Sequence, residues 1–269
     1  MDARLEQKYE ALKENIKGMG RVAVAFSAGV DSTLLLAAAA EALGERAVAV
    51  SVEADWVPRR EQHEAQDFCS SRTIRRIRLN VRAEDIPGFA ENPPERCYLC
   101  KRVLFTKILE AARANGIDCV LEGSNTDDLS DYRPGLRAIA ELGIKSPLRE
   151  AGLCKEQIRA LSRMLGLPTA DKPSFACLAS RIPYGETITA DKLYMAEQGE
   201  QLLLDEGFLQ FRVRVHGTLA RIEVLPEEME RLLKEPLREK IYEKLRRLGF
   251  SYVALDLKGY RTGSMNEAL

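Results

Sequence analysis

The stretch that most constrains the fold is an apolar run that ends in a short turn of small residues and continues as a second apolar segment. Residues 22–26 have the length and composition of a strand buried in a parallel sheet. The turn reads Ser-Ala-Gly-Val-Asp-Ser at residues 27–32, and we expect a helix to begin at about Ser32 or Thr33. A strand, a tight turn and a helix start together direct backbone N–H groups at an anion. The turn therefore predicts a phosphate-binding site.

Side chains of this turn also suit the binding of phosphate and of a metal ion. Gly29 permits backbone conformations that are closed to other residues, and the hydroxyls of Ser27 and Ser32 can donate to phosphate oxygens. Asp31 cannot neutralise a phosphate, so we expect it to hold Mg²⁺ beside one. The turn is not a Walker A loop, because no Gly-Lys-Ser or Gly-Lys-Thr follows it. From this stretch alone, an ordinary strand-to-helix turn capped by serine is the alternative.

Composition narrows the class of protein. The 269 residues suffice for one large or two modest domains, and 45% hydrophobic and 30% charged residues are ordinary for a globular protein. A net charge of -1 gives no support to a dominant nucleic-acid role, for which a basic field is expected. The sequence has no apolar leader and no long apolar run, so we expect a cytoplasmic protein without a membrane partner. Its cysteines are then expected to be reduced, metal-binding or catalytic.

Strands and helices alternate through the first part of the chain. Further strands are predicted at 47–52, 74–79 and 119–121, and helices at 5–17, 59–72, 96–115 and 155–165. This alternation predicts an α/β fold with a doubly wound parallel sheet. Ligands of such sheets bind beyond the carboxyl ends of the strands. The turn at 27–32, Glu53 and the loop at 122–125 all fall at that edge.

The pattern changes after residue 170. Residues 171–181 show no clear periodicity, and we interpret them as a functional loop near a domain boundary. Helices predicted at 191–206 and 237–248 then accompany strands predicted at 211–216, 219–224 and 252–257. We therefore expect two domains, an α/β domain at 1–170 and a smaller α+β domain at 171–269.

Two loops resemble the signatures of the PP-loop ATP pyrophosphatases, which split ATP between the α and β phosphates. The first is the turn at 27–32, with Ala28 in place of the first glycine, and the second is Gly-Ser-Asn-Thr-Asp-Asp at 123–128. The resemblance implies ATP and Mg²⁺ as ligands, with Gly123, Asn125 and Asp128 joining Glu53 and the first turn around the nucleotide. For the second loop alone, a turn closed by an Asx side chain is the alternative.

Three of the six cysteines stand where metal or sulfur chemistry is expected. Cys97 and Cys100 lie at a predicted helix start, which stabilises thiolates, and Cys177 lies in the loop at 171–181. Structural zinc needs four ligands, and the sequence has no second Cys-x-x-Cys pair. Three thiolates can hold three irons of a [4Fe–4S] cluster and leave the fourth iron open. The alternative is a redox pair at Cys97 and Cys100, with Cys177 acting alone as a nucleophile or sulfur donor.

Segments along nearly the whole chain resemble the LarE family. These segments are residues 27–32, 92–101, 123–133, 173–181, 211–223 and 259–266. The family makes pyridinium-3,5-bisthiocarboxylic acid mononucleotide, the precursor of the nickel-pincer nucleotide. Some members donate the sulfur of the cysteine matching Cys177 and destroy it, whereas others add cysteines matching Cys97 and Cys100 and carry a [4Fe–4S] cluster. This chain resembles the second kind.

The resemblance also implies roles for residues of the second domain. Arg181, Arg212 and Arg214 match arginines that bind the substrate's phosphate, a group that suits the guanidinium fork. Glu200 and Glu223 match acids placed nearby, with a divalent-metal role. Without the resemblance, a solvated strand face would be the preferred interpretation of Arg212 and Arg214.

The reaction that the family implies is sulfur transfer through an acyl-adenylate. ATP adenylates a carboxylate of a small nucleotide substrate, and sulfide then displaces AMP. Asp31, Ser32 and Cys177 are the expected catalytic residues, and the resemblance implies a homo-oligomer. Two rivals stay open: a tRNA thiolase, which predicts a basic surface or an added RNA-binding domain, and a nucleotide sensor that binds ATP without turnover.

Overall fold

The computed structural model describes residues 3–130, 134–173 and 175–265. The chain divides into two compact units. The first comprises Met1–Ile86 and Glu95–Phe175, and the second comprises Pro87–Pro94 and Ala176–Leu269. The chain thus passes between the units at residues 86–87, 94–95 and 175–176.

The first unit is built from a parallel sheet and its crossover helices. Its helices are α1 (Ala3–Lys17), α2 (Val30–Leu43), α3 (Arg59–Ser71), α4 (Arg96–Ala114), α5 (Gly135–Glu141), α6 (Pro147–Glu150) and α7 (Lys155–Met164). Its strands are β1 (Val22–Ala25), β2 (Ala47–Glu53), β3 (Arg76–Asn80) and β4 (Cys119–Leu121). The strand order is β3-β2-β1-β4, with every pairing parallel. The predicted α/β fold is confirmed.

The strand order reverses beside β1, and this reversal positions the candidate site. Val24 of β1 pairs with Ala49 of β2 on one side and with Leu121 of β4 on the other. The segments that follow β1 and β4 therefore leave the same edge of the sheet as neighbours. In open parallel sheets such a reversal opens a crevice that binds ligands.

Successive residues of β1 pack on opposite faces of the sheet. Val22 and Val24 belong to one apolar cluster, and Ala23 belongs to the other, as the two-residue period of a strand requires. The first cluster includes core residues of α1, α2, α3 and α7, and the second includes Phe105 and Ile108 of α4. The sheet is therefore covered on both sides. Within the described ranges, no helix is long and apolar enough to cross a bilayer.

Helix α2 begins two residues earlier than the sequence predicts. Gly29 is the N-cap, with extended φ and ψ of -80° and 164°. The amide of Thr33 donates to the Gly29 carbonyl at 2.9 Å, which closes the first helical turn. Val30 and Asp31 are therefore already helical, and their N–H groups belong to the helix N-terminus that faces the end of β1.

The second unit is a small α+β structure, as predicted. It contains α8 (Ala190–Asp205), β5 (Phe211–His216), β6 (Leu219–Val224), α9 (Met229–Leu233), α10 (Leu237–Arg247) and β7 (Tyr252–Leu255). Strands β5 and β6 form an antiparallel hairpin, and β7 adds to β6 in parallel. Residues 87–94 pack here because Gly185 and Ile188 donate backbone hydrogen bonds to Asn92 and Ala90.

Candidate functional site

Serine hydroxyls brace the turn between β1 and α2. The Oγ atoms of Ser27 and Ser32 lie 3.1 Å apart, and Ser32 Oγ also donates to the Gly29 carbonyl at 3.2 Å. The amide of Ser27 lies 3.4 Å from Ser32 Oγ. These bonds hold the turn in a compact form around the N-terminus of α2.

Gly123 brings the segment after β4 directly against this turn. A Cβ at this position would lie 3.1 Å from the backbone nitrogen of Ser32 and 3.3 Å from Cβ of Asp31. Any side chain here would push the two segments apart. The sequence-predicted loops at 27–32 and 123–128 are therefore in contact in the structure.

Asp31 forms a closed hydrogen-bonded ring with Asn125, Asp127 and Lys155. Its carboxylate accepts from Asn125 Nδ2 at 3.2 Å and from Lys155 Nζ. The amide of Lys155 donates to Asp127 Oδ2 at 2.9 Å, and the amide of Asp127 donates to Asn125 Oδ1 at 2.9 Å. The backbone amide of Asn125 also donates to Asp128 Oδ2 at 2.9 Å. The ring places one cation and several acids beside the helix N-terminus.

Lys155 is a residue of this site that was not identified from the sequence. It is the first residue of α7, and its ammonium meets the carboxylate of a residue 124 positions earlier. A lysine at a helix start carries no local signal for such a contact. The one sequence signal for this contact is that Lys155 follows the predicted nucleotide-binding loops along the chain.

Glu53 has a different partner from the other predicted nucleotide ligands. Its carboxylate pairs with Arg76 at 3.1 Å and lies 3.8 Å from Arg78. Both arginines belong to β3, the edge strand beside β2. The role of Glu53 toward a nucleotide stays a prediction.

The three cysteines singled out by the sequence are all of intermediate exposure. Cys97 and Cys100 lie three residues apart in the first turns of α4, and therefore on one side of that helix. Cys177 belongs to the second unit, where it precedes a short 3-10 helix at Leu178–Arg181. Within the described ranges, no group of three or more His, Cys, Asp or Glu side chains is arranged to hold a metal ion.

Arginine and glutamate form buried pairs in the second unit. Arg181 Nε and Nη2 donate to Glu200 at 2.6 and 3.0 Å, and Arg214 Nε and Nη2 donate to Glu223 at 3.0 and 2.9 Å. All four side chains are almost fully buried. A solvated strand face is therefore wrong for Arg214, and also for Arg212, which is 4% exposed. The metal role of the two glutamates stays a prediction, since each carboxylate is engaged by an arginine.

Positive charge exceeds negative charge inside this unit. Its described buried charged residues are three arginines, Arg181, Arg212 and Arg214, and two glutamates, Glu200 and Glu223. Burial lowers the pKa of Arg212 to about 10, and the nearby charge of Arg181 acts in the same direction. Burial opposes ionisation of Glu200, but the guanidinium groups of Arg181 and Arg212 and the backbone N–H of Val213 together outweigh it and leave the Glu200 pKa below its ordinary value. Among these described buried side chains, the arginines outnumber the glutamates by one.

Two of the arginines also bond Ser180, which lies three residues after Cys177. Arg181 Nη1 donates to Ser180 Oγ at 2.6 Å, and Arg214 Nη1 donates to the Ser180 carbonyl at 2.9 Å. Ser180 Oγ in turn donates to the Cys177 carbonyl at 2.8 Å. The backbone of Cys177 is therefore fastened to the arginine cluster. Residues 131–133, 174 and 266 of the family-like segments lie outside the described residues.

Comparison with known proteins identifies relatives over the full length of the chain. No protein-family model matches it. It is 38% identical over 265 residues to an uncharacterized protein, slr1717, from Synechocystis, covering 98% of this chain and 99% of that one. It is 35% identical over 270 residues to pyridinium-3,5-bisthiocarboxylic acid mononucleotide synthase from Lactiplantibacillus plantarum, covering 99% and 96%.

A more distant relative bears on the fold. The GMP synthase of Brucella ovis is 27% identical over 230 residues, which cover 77% of this chain and 43% of that enzyme. This similarity agrees with the PP-loop fold that the two signature loops predict. The similarity to the synthase leaves almost no part of either chain unmatched, and the resemblance seen in the sequence is confirmed: the chain belongs to the LarE family.

Proposed function

We propose that this chain converts the carboxylates of pyridinium-3,5-biscarboxylic acid mononucleotide into thiocarboxylates, using ATP and sulfide. The observation that carries the proposal is its full-length similarity to a synthase named for the bisthiocarboxylic product. The contact between the turn at 27–32 and the loop after β4 supports it, because it gathers phosphate-binding groups at one edge of the sheet.

Activation of the carboxylate is the first step of this reaction. A carboxylate resists attack by sulfide because its leaving group would be oxide. One carboxylate oxygen attacks the α-phosphorus of ATP, the bond from that phosphorus to the bridging oxygen breaks, and pyrophosphate leaves. The N-terminus of α2 and the hydroxyls of Ser27 and Ser32 stabilise the departing charge.

Asp31 and Lys155 are both placed to interact with the phosphates of ATP. The Asp31 carboxylate, beside the helix N-terminus, is an oxygen ligand of the kind that Mg²⁺ takes, and a bound Mg²⁺ would share the charge of the phosphates. The ammonium of Lys155 pairs with the Asp31 carboxylate. It therefore lies beside the proposed metal ligand, where it can also interact with the phosphates.

Sulfur transfer is the second step. Sulfide attacks the carbonyl carbon of the acyl-adenylate, and AMP leaves with the electron pair of the broken bond. We propose Cys97, Cys100 and Cys177 as ligands of a [4Fe–4S] cluster, because three thiolates can hold three of its irons. When bound, the cluster would supply an open iron site for sulfide.

The buried arginines are proposed to bind the phosphate of the substrate. Charge-assisted bonds from guanidinium groups to phosphate are strong and directional. The three buried guanidinium groups of Arg181, Arg212 and Arg214 give an incoming dianion a strongly positive environment. Because Arg181 and Arg214 also bond Ser180, the substrate would be held close to the segment that carries Cys177.

The direct test of the proposal is product analysis under anaerobic conditions. We expect ATP, Mg²⁺, sulfide and the biscarboxylic mononucleotide to give one AMP and one pyrophosphate for each thiocarboxylate detected by mass spectrometry. Bound ATP without pyrophosphate release would instead favour a nucleotide sensor. Tight tRNA binding that weakens steeply with salt, without thiocarboxylate formation, would favour a tRNA thiolase.

Replacing Arg212 with methionine should raise KM for the mononucleotide about tenfold to a hundredfold, the range expected for one charge-assisted hydrogen bond. KM for ATP should be unchanged. We expect folding to survive, because the pairs of Arg181 with Glu200 and of Arg214 with Glu223 stay intact.

Initial rates and thermal unfolding check this prediction together. The matched comparison is Arg214→Met, which should lower stability strongly because it leaves Glu223 buried without its bidentate partner. An unchanged KM for the mononucleotide in Arg212→Met would remove Arg212 from the phosphate site.

A further inference from the structure

Ala28 occupies an unusual backbone conformation in the nucleotide-binding turn. Its φ is +55°, in the left-handed region that residues other than glycine rarely adopt. The residue is 2% exposed, within the apolar cluster beneath the turn. Glycine stands here in the signature that the turn resembles. The chain must therefore hold Ala28 in a conformation that its side chain disfavours.

Lys172 makes the contact that holds this conformation. Its Nζ donates to the Ala28 carbonyl oxygen at 3.0 Å. The peptide group that joins Ala28 and Gly29 is planar and trans, so its C=O and N–H point in opposite directions. A hydrogen bond to the oxygen therefore sets the direction of the Gly29 N–H. That N–H belongs to the N-cap of α2, where the phosphates are proposed to bind.

The ammonium of Lys172 is itself fixed and its charge is balanced. It pairs with Glu64 and lies 3.8 Å from Glu61, both on α3, and the Lys172 side chain is only 12% exposed. The Lys172 carbonyl accepts from Arg159 Nη2 at 2.8 Å, which fastens the backbone to α7. With two carboxylates around it, Lys172 is poorly suited to neutralising a phosphate. Its geometry suits control of the turn.

We infer that Lys172 is a positioning residue that aims the Gly29 N–H at the departing pyrophosphate by holding the Ala28 carbonyl. The inference rests on the proposed function for the identity of the leaving group. On this inference, the left-handed backbone conformation of Ala28 depends on Lys172, which lies 144 residues later in the chain. A glycine at position 28 would adopt the same φ without that support.

The first test is Lys172→Met, assayed by pyrophosphate release with the mononucleotide substrate. We expect kcat to fall about tenfold to a hundredfold, less than the loss from removing a donor to an oxyanion outright. Calorimetry with ATP and Mg²⁺, without substrate, should show weaker binding. The control is Arg163→Met, whose side chain pairs with exposed Asp171 one residue before Lys172, and which should match the wild type.

The decisive test compares Lys172→Met in the native and the Ala28→Gly backgrounds. Because glycine tolerates positive φ, the loss caused by Lys172→Met should be at least about fivefold smaller in the Ala28→Gly background. Equal losses in the two backgrounds, or a Lys172→Met variant with wild-type kcat and ATP affinity, would overturn the inference. If Lys172→Met does not fold, Lys172→Arg is compared in the same two backgrounds with the same criteria. A wild-type chain without pyrophosphate release would instead refute the proposed function.

Discussion

Replacing Asp31 with alanine should slow adenylation severely: substrate-dependent pyrophosphate release should fall about a thousandfold, the upper range for losing one preorganised electrostatic group. Asp31 accepts from Asn125 and Lys155 at the N-terminus of α2 and is the carboxylate proposed to hold Mg²⁺. Its removal takes away the metal ligand and also leaves Lys155 without its counter-charge. The measurement is the initial rate of pyrophosphate release at saturating ATP.

Asp118→Ala is the matched control for this experiment. Asp118 is exposed and directly precedes β4, at the opposite end of the strand from the loop that carries Asn125. We expect its variant to keep the wild-type rate. Pyrophosphate release by Asp31→Ala within tenfold of the wild type would contradict the proposed nucleotide site.

Local sequence patterns predicted the elements that frame this site. The apolar run before the turn and the short run at 119–121 are β1 and β4, and the alternating stretches at 211–216 and 219–224 are β5 and β6. The pattern of apolar residues predicts these strands correctly because it depends only on residues within each segment and reflects which faces of the strand are buried. The helix start after the turn was predicted two residues late, because a glycine N-cap has no side chain to mark it.

Contacts between distant segments could not be predicted in the same way. That the turn at 27–32 meets the loop at 123–128 followed from family resemblance and from the rule for parallel sheets. The contacts of Lys155 with Asp31 and of Lys172 with Ala28 depend on where α7 and the segment after it pack. The burial of Arg212 and Arg214 could likewise not be predicted from the sequence, because alternating arginines on a strand are typical of a solvent-exposed face.

Replacing Cys177 with alanine should separate the two half-reactions. Cys177 precedes the 3-10 helix that Ser180 and Arg181 tie to the arginine cluster, and it lies in a different compact unit from the Asp31 ring. Pyrophosphate release should persist, because the proposed nucleotide site is intact. Thiocarboxylate formation should fall below detection, because the thiol proposed to carry or ligate the sulfur source is gone.

Cys119→Ala is the control, since that half-buried thiol contacts Met19 at 3.9 Å and lies on β4 outside the proposed sulfur chemistry. It should keep both activities. Full thiocarboxylate formation by Cys177→Ala would contradict the role of Cys177.

The sulfur source is distinguished by turnover and iron content in the same preparations. A cluster held by Cys97, Cys100 and Cys177 predicts about four irons per wild-type chain, repeated turnover with added sulfide, and loss of iron in Cys97→Ser. A sacrificial cysteine predicts a single turnover per chain and indifference to Cys97→Ser. The placement of Cys97 and Cys100 on one side of α4 favours the first outcome, because a donor that acts alone has no need of two further thiols one turn apart. Iron-free protein with a single turnover would leave Cys177 as the donor and remove the cluster from the proposal.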